Sequence, residues 1–481
     1  MNLFLLGRII GIYALIFGVT LLSPILIAVW YREPEILHFL WPMAGSIGFG
    51  ALLWLIGRRR THELSVGDGY LIVTLFWILL SLLGAWPLMR GFGLSPVEAL
   101  FESASGITTT GATVITDLDT MPRSLLLYRQ QLQWFGGMGL IVLGVAVMPM
   151  LGIGGMQLYR AETPGPLKEE KLPPRLTETA RALWLIYFSL TLACAGGYWL
   201  AGMGPFDAVA HSLTTVSTGG FSTHDASIGY FGSSAVEAVA VVFMLLAAIN
   251  FGVHYLAWLH LNPLHYLRDV EARAFLGLVG AAVLTVSLIL YLQGAYDQAH
   301  SSIRNAAFVV VSIVTSTGFG TVDFAHWPDF LPVLLIYISF VGGCGGSTAG
   351  GMKVLRVLLM VKQGAQEVRQ LIHPHAILPL RLGQRVVDPR LARSVWGFFA
   401  LYTFAVAILT LLMIHAGLAP LDAFSAVATC LNNLGPGLGE VAYNFQSVSD
   451  FGKLLAVSAM LLGRLEILTI LVILSPAFWR R

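Results

Sequence analysis

Along this chain, apolar runs of roughly bilayer-spanning length alternate with short polar stretches. Ten runs can be drawn, at about 9–30, 37–57, 70–90, 132–152, 179–202, 235–257, 274–293, 331–360, 394–416 and 454–475, close to the ~20 residues a transmembrane helix needs. After the first two, a unit repeats: an apolar helix, a short run of about 12 to 15 residues, a glycine motif and a second apolar helix. The motifs read Thr-Thr-Thr-Gly-Ala-Thr around Gly111, Val-Ser-Thr-Gly-Gly-Phe-Ser around Gly219, Thr-Ser-Thr-Gly-Phe-Gly-Thr around Gly318 and Asn-Asn-Leu-Gly-Pro-Gly-Leu around Gly435. Their central glycines lie roughly 100 to 120 residues apart, a fourfold internal repeat.

Three of the short runs open alike: Gly93-Leu-Ser-Pro96-Val-Glu98-Ala, Gly202-Met-Gly-Pro205-Phe-Asp207-Ala and Gly417-Leu-Ala-Pro420-Leu-Asp422-Ala. Proline at the first helical position and a carboxylate in the first turn are helix-start chemistry. The third run keeps only Asn305-Ala306 at the matching place. Four helical turns or fewer reach about 20 Å, too short for about 30 Å of hydrocarbon. The chain is therefore expected to dip into the membrane and return to the outer side. Non-helical backbone at that depth is tolerated where it is buried or lines a watery cavity. Four such loops around one axis offer a ring of carbonyl oxygens able to replace the water around a monovalent cation. Glycine at the narrowest point keeps side chains out of the lumen.

Composition fits a polytopic membrane protein: 56% of the 481 residues are hydrophobic and 11% charged, against about 25% charged in soluble domains. The first run has no convincing small-residue cleavage site and reads as a retained helix. The net charge of +2 gives no reason to expect nucleic acid. Its distribution says more. With the N-terminus inside, about 21 Lys and Arg fall on cytoplasmic segments and about six outside. The inner groups are Arg58-Arg59-Arg60, Lys168 to Arg175, Lys353 to Arg369 and Arg381 to Arg393. Carboxylates including Asp117, Asp225, Asp323 and Glu440 lie outside, as a solvated rim or as recruiters of cations. Both termini are expected in the cytoplasm. The polar stretches at about 155–178 and 364–390 read as cytoplasmic loops.

With these motifs on the page, the whole chain resembles a TrkH-type subunit of the TrkH/KtrB/HKT potassium transporter superfamily. The resemblance is carried by the four glycine motifs, Gln133-Trp134-Phe-Gly136-Gly137-Met-Gly139, Asn250-Phe-Gly252, Gly342 to Lys353, and Gly463-Arg464-Leu-Glu466. It implies an all-α polytopic protein: a two-helix N-terminal domain (1–66) and four pseudo-symmetric helix–re-entrant loop–helix repeats around one pore (67–160, 161–265, 266–385 and 386–481). The implied filter backbone is Thr109, Thr110, Gly111, Thr218, Gly219, Thr317, Gly318, Asn433, Leu434 and Gly435. Glycine at all four central positions implies potassium; in the wider family, serine at the first goes with sodium permeability. The fourth motif, with Asn433-Leu434-Gly435-Pro436, departs from the other three, so an asymmetric ring is expected. One central glycine per repeat makes a short filter, expected to hold fewer ions than a TVGYG filter and to discriminate less sharply.

The resemblance further implies an intramembrane gating loop in 266–385, formed by Gly342, Gly343, Gly345, Gly346, Ser347, Thr348, Ala349, Gly350 and Gly351. Glycine-rich sequence of this kind does not make a stable helix, each glycine costing about 1 kcal/mol; close helix packing through small residues is the plainer reading. Arg464, inside the last apolar run, costs roughly 2.5–3.5 kcal/mol there unless it meets a partner or water. It either contacts the gating loop beside the pore or pairs with Glu466 or another carboxylate. By resemblance, the protein is a homodimer in the cytoplasmic (inner) membrane, surrounded by the lipid bilayer. It would be controlled by a cytoplasmic RCK-type, NAD/ATP-binding regulatory subunit resembling TrkA. The chain itself has no nucleotide site: Gly346-Ser-Thr-Ala-Gly-Gly351 is followed by Met352, not lysine. Potassium is then the substrate, with no cofactor in this chain.

Other classes fit less well. No Ser-His-Asp set, metal cluster or paired acids is apparent, so no enzyme is expected. Cys194, Cys344 and Cys430 suggest no disulfide framework, and His373 and His375 read as ordinary loop residues. A proton- or sodium-coupled potassium symporter is the alternative. It calls for an embedded acid, for which Glu466 is the candidate, and for inverted repeats, whereas these units share one orientation.

Overall fold

The computed structural model describes residues 3–57, 66–146 and 176–480, apart from 329, 377 and 384. The groups Arg58–Arg60 and Lys168–Arg175, most of the 155–178 loop and the 160/161 boundary lie outside the described residues. The fold is helical. Among the described residues, β structure is one two-residue ladder, Arg381–Leu382 against Arg385–Val386.

Among the described residues, six helical stretches are long and apolar enough to cross a membrane: Leu6–Tyr31, Ile36–Gly57, Gly67–Gly91, Arg181–Leu200, Val270–Leu292 and Pro389–His415. Two further expected spans are broken. Ser234–Ala247 meets Phe251–Leu259 at 97°, and Asp450–Arg464 meets Ile467–Leu474 at 107°. At the first break the Asn250 side chain accepts the Gly252 N–H and starts a new helix. At the second, Glu466 takes a left-handed φ of 56°. The run at 331–360 is not one span. Leu331–Ser339 and Val354–Ile372 are helices, separated by a stretch in which Gly342, Gly346 and Gly351 adopt φ of 69°, 69° and 78°. The expected fourth span is Arg123–Ala146, a helix that starts earlier and carries buried Arg129, Gln130, Gln131 and Gln133 in its N-terminal half. Residues 147–152 of that run are outside the described set.

The four short runs are helices: Pro96–Ile107, Pro205–Val216, Ala299–Val314 and Pro420–Leu431, of 12, 12, 16 and 12 residues. Ser95 caps the first reciprocally with Glu98, and proline opens the first, second and fourth. The third lacks that proline and runs four residues longer. The inner turns of the first, second and fourth are rich in Ala, Ser, Thr and Gly, those of the third in Val, and all four are buried almost all round, enclosed by the longer helices.

One apolar cluster includes Tyr187, Phe251, Phe275 and Phe308 from the middle of the chain. Another joins Phe101 and Val114 to Val427, Phe445 and Met460, so the first and last units share a core. Ile16, Leu26, Leu52, Leu284, Phe404 and Leu411 are exposed, as lipid-facing helices require. This is a multi-span membrane protein.

The helices Leu3–Thr20 and Ile36–Gly57 cross through glycines: a Cβ on Gly11 or on Gly50 would stand 2.7 Å from the other's carbonyl oxygen. Gly50→Val should force this pair apart at a cost of roughly 3 kcal/mol or more. A drop in the thermal unfolding midpoint of detergent-solubilised protein checks it; an unchanged midpoint refutes it.

Candidate functional site: four glycine turns around one cavity

All four short helices end in the same way. The N–H groups of Thr110, Gly219, Thr317 and Leu434 each reach back five residues, to the carbonyls of Ser105, Thr214, Ser312 and Thr429, all at 2.8 Å. The residue before each bonds back three, at 3.0–3.2 Å. These paired bonds form the Schellman motif, which needs a left-handed residue. Here that residue is Thr109, Thr218, Ser316 or Asn433, with φ between 52° and 56°. Non-glycine residues there cost about 1–2 kcal/mol each, and three of the four side chains make hydrogen bonds there. Ser316 Oγ accepts the Gly350 N–H at 2.6 Å, and Asn433 Nδ2 donates to Thr110 Oγ1 and to the Met460 carbonyl, both at 3.0 Å. Thr218 Oγ1 donates to the Ser217 carbonyl at 2.7 Å.

Two residues after each left-handed position comes a second positive φ: Gly111 (83°), Gly220 (77°), Gly318 (79°) and Gly435 (102°). The sequence reading centred the second motif on Gly219, whereas the matching conformation belongs to Gly220. The signal was there: fifteen positions separate Pro96 from Gly111, Pro205 from Gly220 and Pro420 from Gly435.

These glycines interlock. A Cβ on Gly111 would press on the Gly219 carbonyl oxygen, one on Gly220 on that of Thr317, one on Gly318 on that of Leu434, and one on Gly435 on that of Thr110, every approach under 3.0 Å. The sequence of contacts runs through the four turns and returns to the first. Gly111, Gly220, Gly318 and Gly435 together line one cavity of about 320 Å³, with Asp225 and Asp323 on its wall. Asp117 and Glu440 are not part of that wall.

Buried polar groups brace the turns. Arg129 donates to Glu102 through Nε at 2.9 Å and Nη2 at 2.7 Å, and through Nη1 to the Ser222 carbonyl at 3.3 Å. Glu102 in turn accepts the Val114 N–H at 2.9 Å. A buried ion pair has little net worth, but losing one partner strands the other. Lys453 Nζ reaches Glu98 Oε1 at 3.0 Å, linking the last unit to the first short helix. Sequence reasoning missed these groups because the charges in each pair are far apart in the chain.

Below the turns, the glycine-rich stretch is pinned from several sides. Thr348 Oγ1 donates to the carbonyls of Val216 and Ala247, both at 3.1 Å, and a Cβ on Gly350 would collide with the Asn432 carbonyl. Arg464 donates to Thr348 O at 3.1 Å and Gly136 O at 3.0 Å. Glu466 instead holds Arg356, both oxygens at 2.9 Å. Among the described residues, Glu466 thus pairs with Arg356 and not with Arg464. Glu271, unnoticed in the sequence, accepts the N–H groups of Gly345 (2.7 Å) and Leu355 (3.1 Å), holding both ends of the stretch. Gly343, Cys344, Ser347 and Ala349 are buried within it, and Cys194, Cys344 and Cys430 are buried free thiols.

On the wall of the cavity, His224 stacks on Tyr230 at 3.5 Å, hydrogen-bonds Asp119 and stands 3.6 Å from Asp207. Partial burial alone would lower its pKa, but the two carboxylates raise it above the ordinary 6.5.

The protein belongs to the TrkH family of cation transport proteins, whose model matches residues 35–481. It is 50% identical over 477 residues to the Trk system potassium uptake protein TrkH of Vibrio parahaemolyticus, covering 98% of each chain. It is 47% identical over 483 residues to the Halomonas elongata TrkH, covering all of both. The crystal structure of the potassium transporter TrkH from Vibrio parahaemolyticus superposes with a TM-score of 0.93 at 47% identity, over the whole of both chains.

Two predictions follow from the geometry. Gly220→Ala meets both a left-handed φ and fixed backbone and should cost roughly 3 kcal/mol or more, whereas Gly219→Ala displaces only the end of the Gln133 side chain and should cost about 1–2. Thermal unfolding of the two variants ranks them, and the reverse order would refute the assignment. His224, with a raised pKa, stabilises the cavity wall fully below about pH 6.5, and this contribution is lost as pH rises through the folded-state value. The stability difference between the wild type and His224→Asn should therefore shrink from about pH 6 to about pH 9. A constant difference would contradict it.

Proposed function

We propose that this chain is the pore subunit of a potassium uptake system. The observation that carries the reading is the closed cycle of four glycine turns, each glycine seated on the carbonyl of the next. Positive φ at alternate residues of each turn, Thr109 and Gly111, Thr218 and Gly220, Ser316 and Gly318, Asn433 and Gly435, brings successive carbonyls toward one side. The four Schellman ends also aim the negative poles of four helices at one point. Carbonyl oxygens of Thr109, Thr110, Thr218, Gly219, Ser316, Thr317, Asn433 and Leu434 then replace the hydration shell of potassium, with Gly111, Gly220, Gly318 and Gly435 as the hinges of the filter. The short helices, none exceeding 16 residues, enter the membrane and return as re-entrant loops, giving a two-helix domain (1–66) and four repeats (67–160, 161–265, 266–385 and 386–481). The 320 Å³ cavity is the outer vestibule.

The stretch from Gly342 to Gly351 is the gate. Its contacts with Val216, Asn432 and Ser316 support a plug beneath the filter, which Arg464 latches through Thr348. Such a plug opens by exchanging these hydrogen bonds for others. The polar face of Val354–Ile372, continuous with the gate, suits a cytoplasmic regulatory ring of RCK type that binds NAD or ATP. The pore subunit is a homodimer in the inner membrane, both termini cytoplasmic, and needs no cofactor. Glu466, the candidate acid of the coupled-symport reading, is paired with Arg356, which favours the pore reading.

The test is cation flux in proteoliposomes. Potassium should move down its own gradient, indifferent to protons and faster than sodium. Arg464→Ala, which unlatches the gate, should raise resting flux about tenfold or more, the size of one buried charge-assisted contact. Accumulation against the potassium gradient, driven by protons or sodium, would overturn the pore reading, and unchanged resting flux would overturn the latch.

A further inference from the structure

The four carbonyls on which the turn glycines sit, those of Thr110, Gly219, Thr317 and Leu434, are not equivalent. Gly219 O accepts a hydrogen bond from Gln133 Nε2 at 2.6 Å. Among the described residues, no protein donor reaches the other three. Gln133 is fully buried on the helix Arg123–Ala146 of the first unit. Its Oε1 accepts the Phe221 N–H at 3.0 Å, so the amide brackets Gly220 from both sides. This fixes the amide's orientation: Phe221 N–H can only donate, so oxygen must face it and nitrogen must face Gly219. One turn earlier on the same face, Arg129 holds the Ser222 carbonyl and lies 4.2 Å over the Phe221 ring.

The other end of the cycle offers a comparison. Gly136 and Gly463 sit at the same place in their units, each against the carbonyl of the last helical residue, Ile107 or Leu431. Three residues before Gly136 is Gln133; three before Gly463 is Met460. The same helix position thus carries a donor in the first unit and an apolar side chain in the fourth.

Resting on the pore reading above, we propose that Gln133 is a specificity-determining positioning residue of the filter. Its N–H withdraws electron density from one ring oxygen and ties that oxygen to a buried helix. Sodium is smaller and more strongly hydrated than potassium, so binding it needs oxygens that move inward and carry a strong field. A donor 2.6 Å away opposes both, and so penalises sodium more than potassium. The ring is an uneven coordination shell, with one restrained oxygen.

The experiment measures the potassium-to-sodium permeability ratio of the full-length protein in proteoliposomes for the wild type, Gln133→Met and Gln133→Glu. Because each ratio is internal to one variant, differences in reconstituted amount cancel. Gln133→Met, which copies the fourth unit, should lower the ratio about fivefold, the scale of one buried hydrogen bond felt by one ion and not the other. Gln133→Glu reports the donor directly. As a neutral acid it accepts from Phe221 and donates to Gly219, whereas as a carboxylate it cannot donate. Its ratio should therefore approach that of the wild type in acid and fall as pH rises, while the wild-type and Gln133→Met ratios do not follow that course. A wild-type ratio in Gln133→Met, or a pH-indifferent ratio in Gln133→Glu, overturns the proposal. Should Gln133→Met fail to fold, the pH course of Gln133→Glu decides alone. A wild type that does not distinguish the two ions refutes the pore reading itself, an outcome separate from a selective wild type with an indifferent Gln133→Met.

Discussion

Everything in this molecule accommodates one demand: four stretches of backbone meet at close range with no side chain between them. Backbone in that position cannot use water to satisfy its polar groups, and it cannot form regular secondary structure without filling the centre. The chain answers with four short helices whose last N–H bonds are spent in Schellman turns, leaving the following carbonyls available. Glycine is needed at Gly111, Gly220, Gly318 and Gly435 for two reasons at once, a left-handed φ and a neighbouring carbonyl in the space of a Cβ. Thr218, Ser316 and Asn433 hold other left-handed positions with their side chains hydrogen-bonded there.

Close approach at the centre is maintained by what surrounds it. Small residues on the short helices let the longer helices pack tightly, and charged groups buried behind the turns fix their height. Arg129 with Glu102 serves the first and second turns, Gln133 the second, and Asn433 ties the fourth to the first. The brace is different for each unit. The repeat is therefore symmetrical in its backbone and asymmetrical in its supports, as expected when one polypeptide supplies all four parts.

Much of this was legible from sequence. Apolar period, glycine spacing and proline-acid helix starts disclosed the units, because those features arise from neighbours in the chain. Helix breaks at Asn250 and Glu466 were read as continuous spans, since hydropathy does not register a bend that leaves composition apolar. The shift from Gly219 to Gly220 came from anchoring on the first glycine of a pair instead of counting from Pro205. The roles of Glu271, Gln133, Arg129 and Arg356 escaped because their partners lie between 27 and 110 residues away in the chain, which no local pattern shows. Arg464 could be singled out by its cost in an apolar run, but its partner was open until the loop carbonyl of Thr348 came into view.

The seam between the ends of the chain has a consequence for biosynthesis. Gly435 closes the cycle on Thr110, Phe445 N–H bonds to the Thr113 carbonyl, and Lys453 reaches back to Glu98. Units emerge from the ribosome in order, and the fourth comes last. On the pore reading proposed above, three completed quarters have no axis to enclose, so a nascent chain would offer ions no route through the membrane. The route would exist only once the final quarter arrives, by which time the glycine-rich stretch of the third is already made.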